Sequence, residues 1–433
     1  MTELPPDQAF IDVDRRLRQE VDRLIRSGAG PDPFRGLYIE DAEVFQLVDS
    51  LGRDAENGNW LGTYANRLSG LAHHFGLSPS QLRILVAAMA PDLDLRYERV
   101  FAYVQDDVQR KRPTIDLLLH LFWSEPTDRL KATWLFHAAA GLRRHRLIQL
   151  RADPVEDASL LASTIRTDPR VVAYVLGSDA IDEALIGVAA VCPIADEQQV
   201  PVSEPIRSRL ASLADSVGAA RPLAVVVFEG PPGAGKLAAA RYLAARRGQR
   251  LLTIEVEKLL RGNLDPQTAA QLAFREAAFQ SAIIYFRGAG GLWEEGERPA
   301  ALRDAIMGQH RVAGGLMALS GPIGLGVPAV IGGIALSRIQ LDMPSNVERL
   351  AHWSAAVGGV IESEEALSEI AGAFRLTRGQ IDDAIQVARQ EAIAGGNSPD
   401  RLTREELYVG CRAVSGRGLT AVADEITRHA STG

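Results

Sequence analysis

Cysteine is almost absent from this chain of 433 residues: Cys192 and Cys411 lie far apart in apolar surroundings. Two such thiols make neither a disulfide framework nor a metal-ligand spacing, so a stapled secreted scaffold and a zinc module are both excluded, and a reducing, cytoplasmic setting is expected. Lysine is nearly as scarce. Lys111, Lys131, Lys236 and Lys258 are the only ones among 47 basic residues, so a lysine at a chemically meaningful position stands out. The first ten residues, MTELPPDQAF, are acidic and Pro-rich and carry no apolar signal core. A net charge of −8 argues against a general nucleic-acid binder. His73, His74, His137 and His352 are isolated and read as packing or surface residues. One uncharged run, VAGGLMALSGPIGLGVPAVIGGIALS from Val312 to Ser337, has the length of a bilayer span. Repeated Gly and Pro break it, and no aromatic belt flanks it. It reads instead as a helix end, a loop and a buried parallel strand.

What is present is an ordinary soluble composition, 46% apolar and 24% charged. The length suggests about three domains. The most telling stretch is AVVVFEGPPGAGKL, from Ala224 to Leu237. A β-branched apolar run, a Gly-rich loop, a lysine and a helix-forming LAAARYLAARR follow one another in the context that makes a phosphate-binding loop meaningful. Gly233 and Gly235 let backbone N–H groups approach phosphate oxygens, and the helix N-terminus adds partial positive charge. Lys236 can reach the β- and γ-phosphates. The next position should carry a Ser or Thr hydroxyl for Mg²⁺, and here it is Leu237.

The other half of such a site should be an acidic pair after a buried strand. The matching strand, Ala282 to Phe286, is followed by Arg287 and a Gly-rich turn, with no carboxylate before Glu294 and Glu295. Arg287 puts a cation where a metal is expected; it either contacts phosphate or merely caps a degenerate strand. A later strand, VPAVIGGIALSR, should end in a polar residue that orients water, and it ends in Gly332 and Gly333. Arg378 or Gln380, early in a tail helix, is placed to face a nucleotide or else is a solvated helix-start residue.

Along the chain, Phe10–Ile25 and residues 56–75 read as amphipathic helices, with a Pro/Gly break at 28–36 between them and Asn57 or Asn59 as a cap. Ser78 or Ser80 caps a helix running through Met89 and ended by Pro91. Further helices are expected at Tyr97–Val108, at Ile115–Phe122 after Thr114, and at Arg129–Ala140 after Thr127 or Asp128. Gly141–Asp153 reads as a short strand, and the whole as a winged-helix-like module, a fold that often binds DNA through a basic helix. Its basic cluster of Lys111, Arg112, Arg143, Arg144 and His145 has acidic neighbours, which favours packing or protein contact over DNA. Ala158–Ala190 reads as mostly helical and 191–204 as a linker. From Pro205 onward, helices at 205–219, 235–247, 265–281 and 299–312 alternate with strands at 222–228, 251–256, 282–286, 328–331 and 338–341, predicting a parallel sheet with helices on both faces. The tail is helical, at 346–357, 363–374, 377–395, 403–414 and 419–430, with Ser363, Thr377 and Thr403 as caps.

GPPGAGK after a buried strand, an α/β core and a helical C-terminal lid resemble the AAA+ ATPases. The segment LSPSQLRILVAAMAPDLDLRYERVFAYVQDDVQRKRPTIDLLLHLF resembles the region ahead of the ATPase core in AAA+ proteins associated with contractile injection systems, and RLTRGQIDDAI resembles their lid. The resemblance covers most of the chain from about Asp41. It implies a P-loop AAA+ α/β core with a parallel sheet and helical lid behind a mainly helical, winged-helix-like region. Expected boundaries are 1–75 (helical), 76–190 (winged-helix-like), 191–204 (linker), 205–342 (degenerate AAA+ core) and 343–433 (lid). Relatives of this type carry two tandem cores, the first often degenerate, so the chain reads as a fragment or a natural single-core form. The resemblance assigns the phosphate loop to Gly230, Pro231, Pro232, Gly233, Ala234, Gly235, Lys236 and Leu237, and Arg378 is added as a nucleotide-facing residue. ATP or ADP is the expected ligand, and the residues argue against Mg²⁺; no catalytic or metal-binding residue is assigned. Implied partners are other AAA+ subunits or injection-particle proteins, with a homo-oligomer possible, membranes excluded and nucleic acid disfavoured. The reading is a scaffold, ring-interface or partner-docking module, possession of ATPase activity being uncertain. The alternatives are a slow ATPase using Lys236 with Glu229, Glu294 or Glu295, and a winged-helix DNA-binding regulator using residues 112–146.

Overall fold

Local capping chemistry starts many of the helices where the sequence predicts. In the computed structural model, which describes residues 5–27, 41–56, 61–152, 159–216, 224–357 and 364–415, Ser78 forms a full capping box with Gln81. Thr114 accepts the Leu117 N–H, and Thr377 forms a second capping box with Gln380. Expectations for the 28–36 break, the Asn57 and Asn59 caps, the Ser363 cap and the helix at 419–430 lie outside the described residues.

The elements run α1 (Pro6–Ser27), α2 (Asp41–Glu56), α3 (Leu61–Phe75), α4 (Pro79–Leu93), α5 (Arg96–Val104), α6 (Ile115–Phe122), α7 (Pro126–Ala132), α8 (Gly141–Arg144), β1 (Ile148–Arg151), β2 (Thr164–Thr167) and α9 (Pro169–Val175). There follow β3 (Ala189–Cys192), α10 (Glu204–Ser216), β4 (Ala224–Glu229), α11 (Lys236–Arg246), β5 (Arg250–Glu255), α12 (Val256–Arg261), α13 (Pro266–Phe279), β6 (Ala282–Arg287), α14 (Glu297–Ala313), β7 (Leu316–Gly321), β8 (Val330–Ile331), β9 (Ile334–Gln340), α15 (Asn346–Val357), α16 (Glu364–Ala373) and α17 (Arg378–Ala394). A last helical run covers 404–415. Two units emerge: Met1–Gly187 with Gln267–Ser281, and Val188–Pro266 with Ala282–Gly433.

The first unit is a helical bundle with a β-ribbon. Phe10, Val13, Leu17 and Val21 of α1 recur every three to four residues and are buried against α2 and α4. β1 and β2 pair antiparallel, and Thr114 bridges Thr164 at the start of α6. Here the structure corrects several expectations. Pro91 does not end α4 but sits buried in its last turns. α7 begins at Pro126 rather than after Thr127 or Asp128, because Pro suits the first helical position. It stops at Ala132, and Thr133–Phe136 tightens into a 3-10 turn, so the helix expected to reach Ala140 is short. Residues 141–153 open with the helical turn α8 before β1. The stretch from 158 to 190, expected to be helical, holds the strand β2 as well as α9. α13, although it lies between β5 and β6 in the chain, belongs to this unit.

The second unit is built on a seven-stranded sheet in the order β3-β5-β6-β7-β4-β9-β8. The central five strands are mutually parallel; β3 and β8 add antiparallel edges. Residues 189–192 are therefore strand, which corrects the start of the expected linker. Central strands read as unbroken apolar runs because both faces are covered: β4 and β7 are buried almost throughout. α10 and α11 cover one face over Val226, Phe228, Ile283 and Tyr285. The helices α15–α17 and 404–415 enclose a separate core around Trp353, Ile370, Ile385 and Cys411. This is the α/β core and helical lid that the resemblance predicts.

Candidate functional site

The site begins where β4 runs out. Gly230 N–H reaches the Gly321 carbonyl at the end of neighbouring β7 (3.3 Å), and Glu229 C=O accepts from Leu341 N–H (2.7 Å), so both flanking strands hold the loop's first residue. A Cβ at Gly230 would strike the Leu341 carbonyl. Gly233 has φ +76° and Gly235, the residue before α11, has φ +95°; both conformations favour glycine. The loop thus turns its backbone into the N-terminus of α11, an anion-favouring arrangement.

Lys236 is half-buried. Its ammonium donates to the loop's own carbonyls, Gly230 at 2.5 Å and Pro231 at 2.8 Å. Burial, and then the nearby Arg287 charge, lower its pKa below the usual lysine range. Leu237 is partly exposed, with 40% of its surface open, and an alkyl chain can ligate nothing.

The lid meets the loop directly. Thr377 Oγ1 donates to Pro232 C=O (3.0 Å), and Gly379 N–H donates to Gly233 C=O (3.1 Å). The approach is so close that a Cβ at Gly233 would collide with Thr377 Oγ1, while one at Gly379 would lie 3.0 Å from Gly233 Cα. Gln380 is held within the cap by Thr377 (2.9 Å), so of the two early α17 candidates only Arg378 faces the loop's cleft. Its guanidinium donates to Pro201 C=O (3.3 Å). The cleft, about 260 Å³, is lined by Val202, Ile206, Ala234, Gly235, Met343 and Arg378 among others. Sequence reasoning missed Val202, before α10, Ile206, in its first turn, and Met343, after β9, none of which carries a local signature of a site.

The remaining candidates separate. Arg287 ends β6 and pairs with Glu255 at the end of β5 (3.0 Å). Glu229 is buried and pairs with Arg338 of β9 (3.6 Å). It alternates with Phe228, which lies under α10 and α11, so it leaves the opposite face of the sheet. Glu294 and Glu295 follow the 3-10 turn Ala289–Trp293 and are exposed. Gly332 and Gly333 correct an expectation: they form the turn of the β8–β9 hairpin, with φ +54° and +85°, and do not end a site-forming strand. The strand between β6 and β4 is β7, and its Ser320 hydroxyl accepts from Tyr285 (2.7 Å). Among the described residues no group of three His, Cys, Asp or Glu side chains could hold a metal, and no helix is long and apolar enough to cross a membrane.

In the first unit the basic cluster is largely paired. Arg112 forms two 2.6 Å bonds to Asp92, Lys111 lies 3.5 Å from Glu98, and Arg143 donates to Phe136 C=O (3.1 Å). Burial, with Arg144 beside it, pushes the His145 pKa down to about 4.

A family model described as "Winged helix domain, variant" matches residues 53–189. No curated protein matches the chain. Among solved structures it is similar to the AAA domain of FIGL-1 in complex with ADP, at 16% identity over 57% of this chain and 97% of that one, with a TM-score of 0.43. It is also similar to a structure described as the structural basis for katanin self-assembly, at 16% identity over 55% and 93%, with a TM-score of 0.42. The second unit has a parallel α/β core with a helical lid, and the winged-helix match lies almost wholly in the first unit.

Proposed function

We propose that the second unit holds ATP or ADP as a structural ligand, and that the chain serves an AAA+ assembly as a scaffold, ring-interface or partner-docking module. The observation that carries this reading is a phosphate loop whose geometry is complete while its hydrolytic chemistry is not. Positive-φ glycines, the lysine and the lid contacts surround Gly230–Leu237, yet Leu237 stands at the hydroxyl position and Arg287 at the carboxylate position. The cleft beside Ala234 and Gly235 has the mixed apolar lining and polar rim that suit a flat heteroaromatic base, with Arg378 at its edge. A ligand bound there stabilises the folded form by mass action without turnover. Glu229, paired on the opposite face, and Glu294 and Glu295, exposed beyond a turn, give the slow-ATPase alternative no carboxylate positioned by a pair at the loop.

The wider setting, maturation of a contractile injection particle with other AAA+ subunits or particle proteins as partners, rests on the resemblance of residues 77–122 and of the lid segment. The proposed boundaries of 1–75, 76–190, 191–204 (linker), 205–342 and 343–433 are modified at two places: β3 belongs to the second unit and α13 to the first. Phosphate release in the presence of Mg²⁺ tests the core of the reading. We expect release indistinguishable from buffer for the wild type. Release well above buffer that Lys236→Ala abolishes would show an enzyme instead.

A further inference from the structure

The AAA+ fold ordinarily implies Mg²⁺ beside the phosphates, and the residues here do not fit it. Mg²⁺ requires an octahedral shell of oxygen ligands, commonly one or two carboxylates and a P-loop hydroxyl. Leu237 supplies no oxygen, and β6 ends in a cation. The disagreement has a geometric counterpart. Side chains of β6 alternate, and Ile283 and Tyr285 lie in the core beneath α11 together with Val226 and Phe228 of β4. Arg287, two residues beyond Tyr285, therefore leaves the strand on that same face. β4, β7 and β6 are parallel, so their C-terminal ends share the edge from which the phosphate loop springs. Tyr285 and Ser320 tie β6 to β7 next to that end. The Arg287 side chain is 61% exposed, and among the described residues its ion-pair partner is Glu255, itself partly exposed. An exposed pair of this kind is weak and exchangeable, whereas a guanidinium binds phosphate oxygens bidentately.

We propose that Arg287 takes the place of the metal ion, so that the loop binds a nucleoside di- or triphosphate without Mg²⁺, with Lys236 and Arg287 together neutralising the phosphate charge. This rests on the reading of Gly230–Lys236 as a nucleotide site. Burial lowers the lysine pKa most, and the Arg287 charge on the same edge lowers it further, a repulsion that an anion between the two would relieve.

The test is calorimetric titration of ATP and of ADP into the full chain, in EDTA and in excess Mg²⁺ at matched ionic strength. Wild type, Arg287→Ala and Arg287→Lys are compared, with thermal midpoints confirming that all three are folded. The expected result is wild-type affinity equal within about twofold with and without Mg²⁺, and a loss of about tenfold or more in Arg287→Ala, partly restored by Arg287→Lys. Affinity that rises about tenfold with Mg²⁺, or an Arg287→Ala variant that binds like wild type in EDTA, overturns the role of Arg287 and leaves the nucleotide site standing. Absence of binding by the wild type under both conditions removes the nucleotide site itself, and the inference with it.

Discussion

Both units set cations beside a helix and partner them in opposite ways. In the first unit Arg275 and Arg170 are buried and met by carboxylates. Arg170 grips Glu276 of α13 through two bonds of 2.8 and 3.0 Å, and Arg275 pairs with Asp182 and with Asp168 (3.3 Å). Gln280 donates a further bond to Glu276 (2.9 Å). In the second unit Lys236 is met by two neutral carbonyls, and Arg287 by one partly exposed carboxylate. A buried cation neutralised by a carboxylate is a clamp: it orders the residues around it and attracts nothing more. A cation whose neighbours are carbonyls keeps its charge and remains able to attract an anion. Pairing, more than position, separates the structural charges of this protein from those proposed to bind a ligand.

The clamp side of that contrast breaks most severely. Replacing Glu276 with Ala strands Arg170 without its carboxylate, and about 3–5 kcal/mol of stability should be lost, read from the urea unfolding midpoint. A smaller effect comes from a buried carboxylate in the same unit that has no cation as its hydrogen-bond partner. Asp14 accepts a bond from Tyr97 (2.7 Å), and burial pushes its pKa from 3.8 up to about 6, against the opposing pull of that bond and of the Arg96 charge. Because the folded pKa lies above the unfolded one, the folded form holds the proton more tightly. Stability is therefore highest below about pH 4 as far as this group is concerned, and falls as pH rises through 4 to 6. The difference is about 3 kcal/mol on the ordinary conversion of pKa to free energy. Asp14→Asn should flatten that part of the pH–stability curve; an unchanged slope between pH 4 and 6 would contradict it.

On the functional side the expected effects are gentler. Thr377→Ala removes a helix cap and the hydroxyl that reaches Pro232, so about 1 kcal/mol of stability should go. Nucleotide affinity should weaken alongside it, measured by the same titration as for Arg287. Smallest of all is Leu237→Thr. It restores the missing hydroxyl but leaves Arg287 in place, so phosphate release should stay at the buffer level. Measurable turnover in that variant would mean that pairing at β6 matters less than the comparison holds.

Legibility followed locality. The phosphate loop, α11, β4 and the Thr377 cap were all readable, because each depends on residues close together in the chain. The middle of the sheet was not. β7 lies within the uncharged run 312–337, where full burial erases the alternation that marks a strand. The run does hold the buried strand its composition suggests, but the polar strand end expected at Gly332–Gly333 is instead a hairpin turn. β2 escaped for a related reason: at four residues, Thr164–Thr167 is too short to show a period. The partners of Arg170 and Arg275 lie about a hundred residues away or within α13, and no spacing rule connects them.

The sequence by itself determined that an α/β core with a glycine-rich loop and a helical lid would form, with Leu237 after the loop lysine and Arg287 after a buried strand, because loop dihedrals, caps and residue chemistry are local properties. Only the tertiary structure decided which strand lies between β6 and β4, which face Glu229 and Arg287 leave, and which cations meet carboxylates. Those outcomes depend on strand order and on long-range burial, where a charge is stabilised or left open by groups distant in the chain.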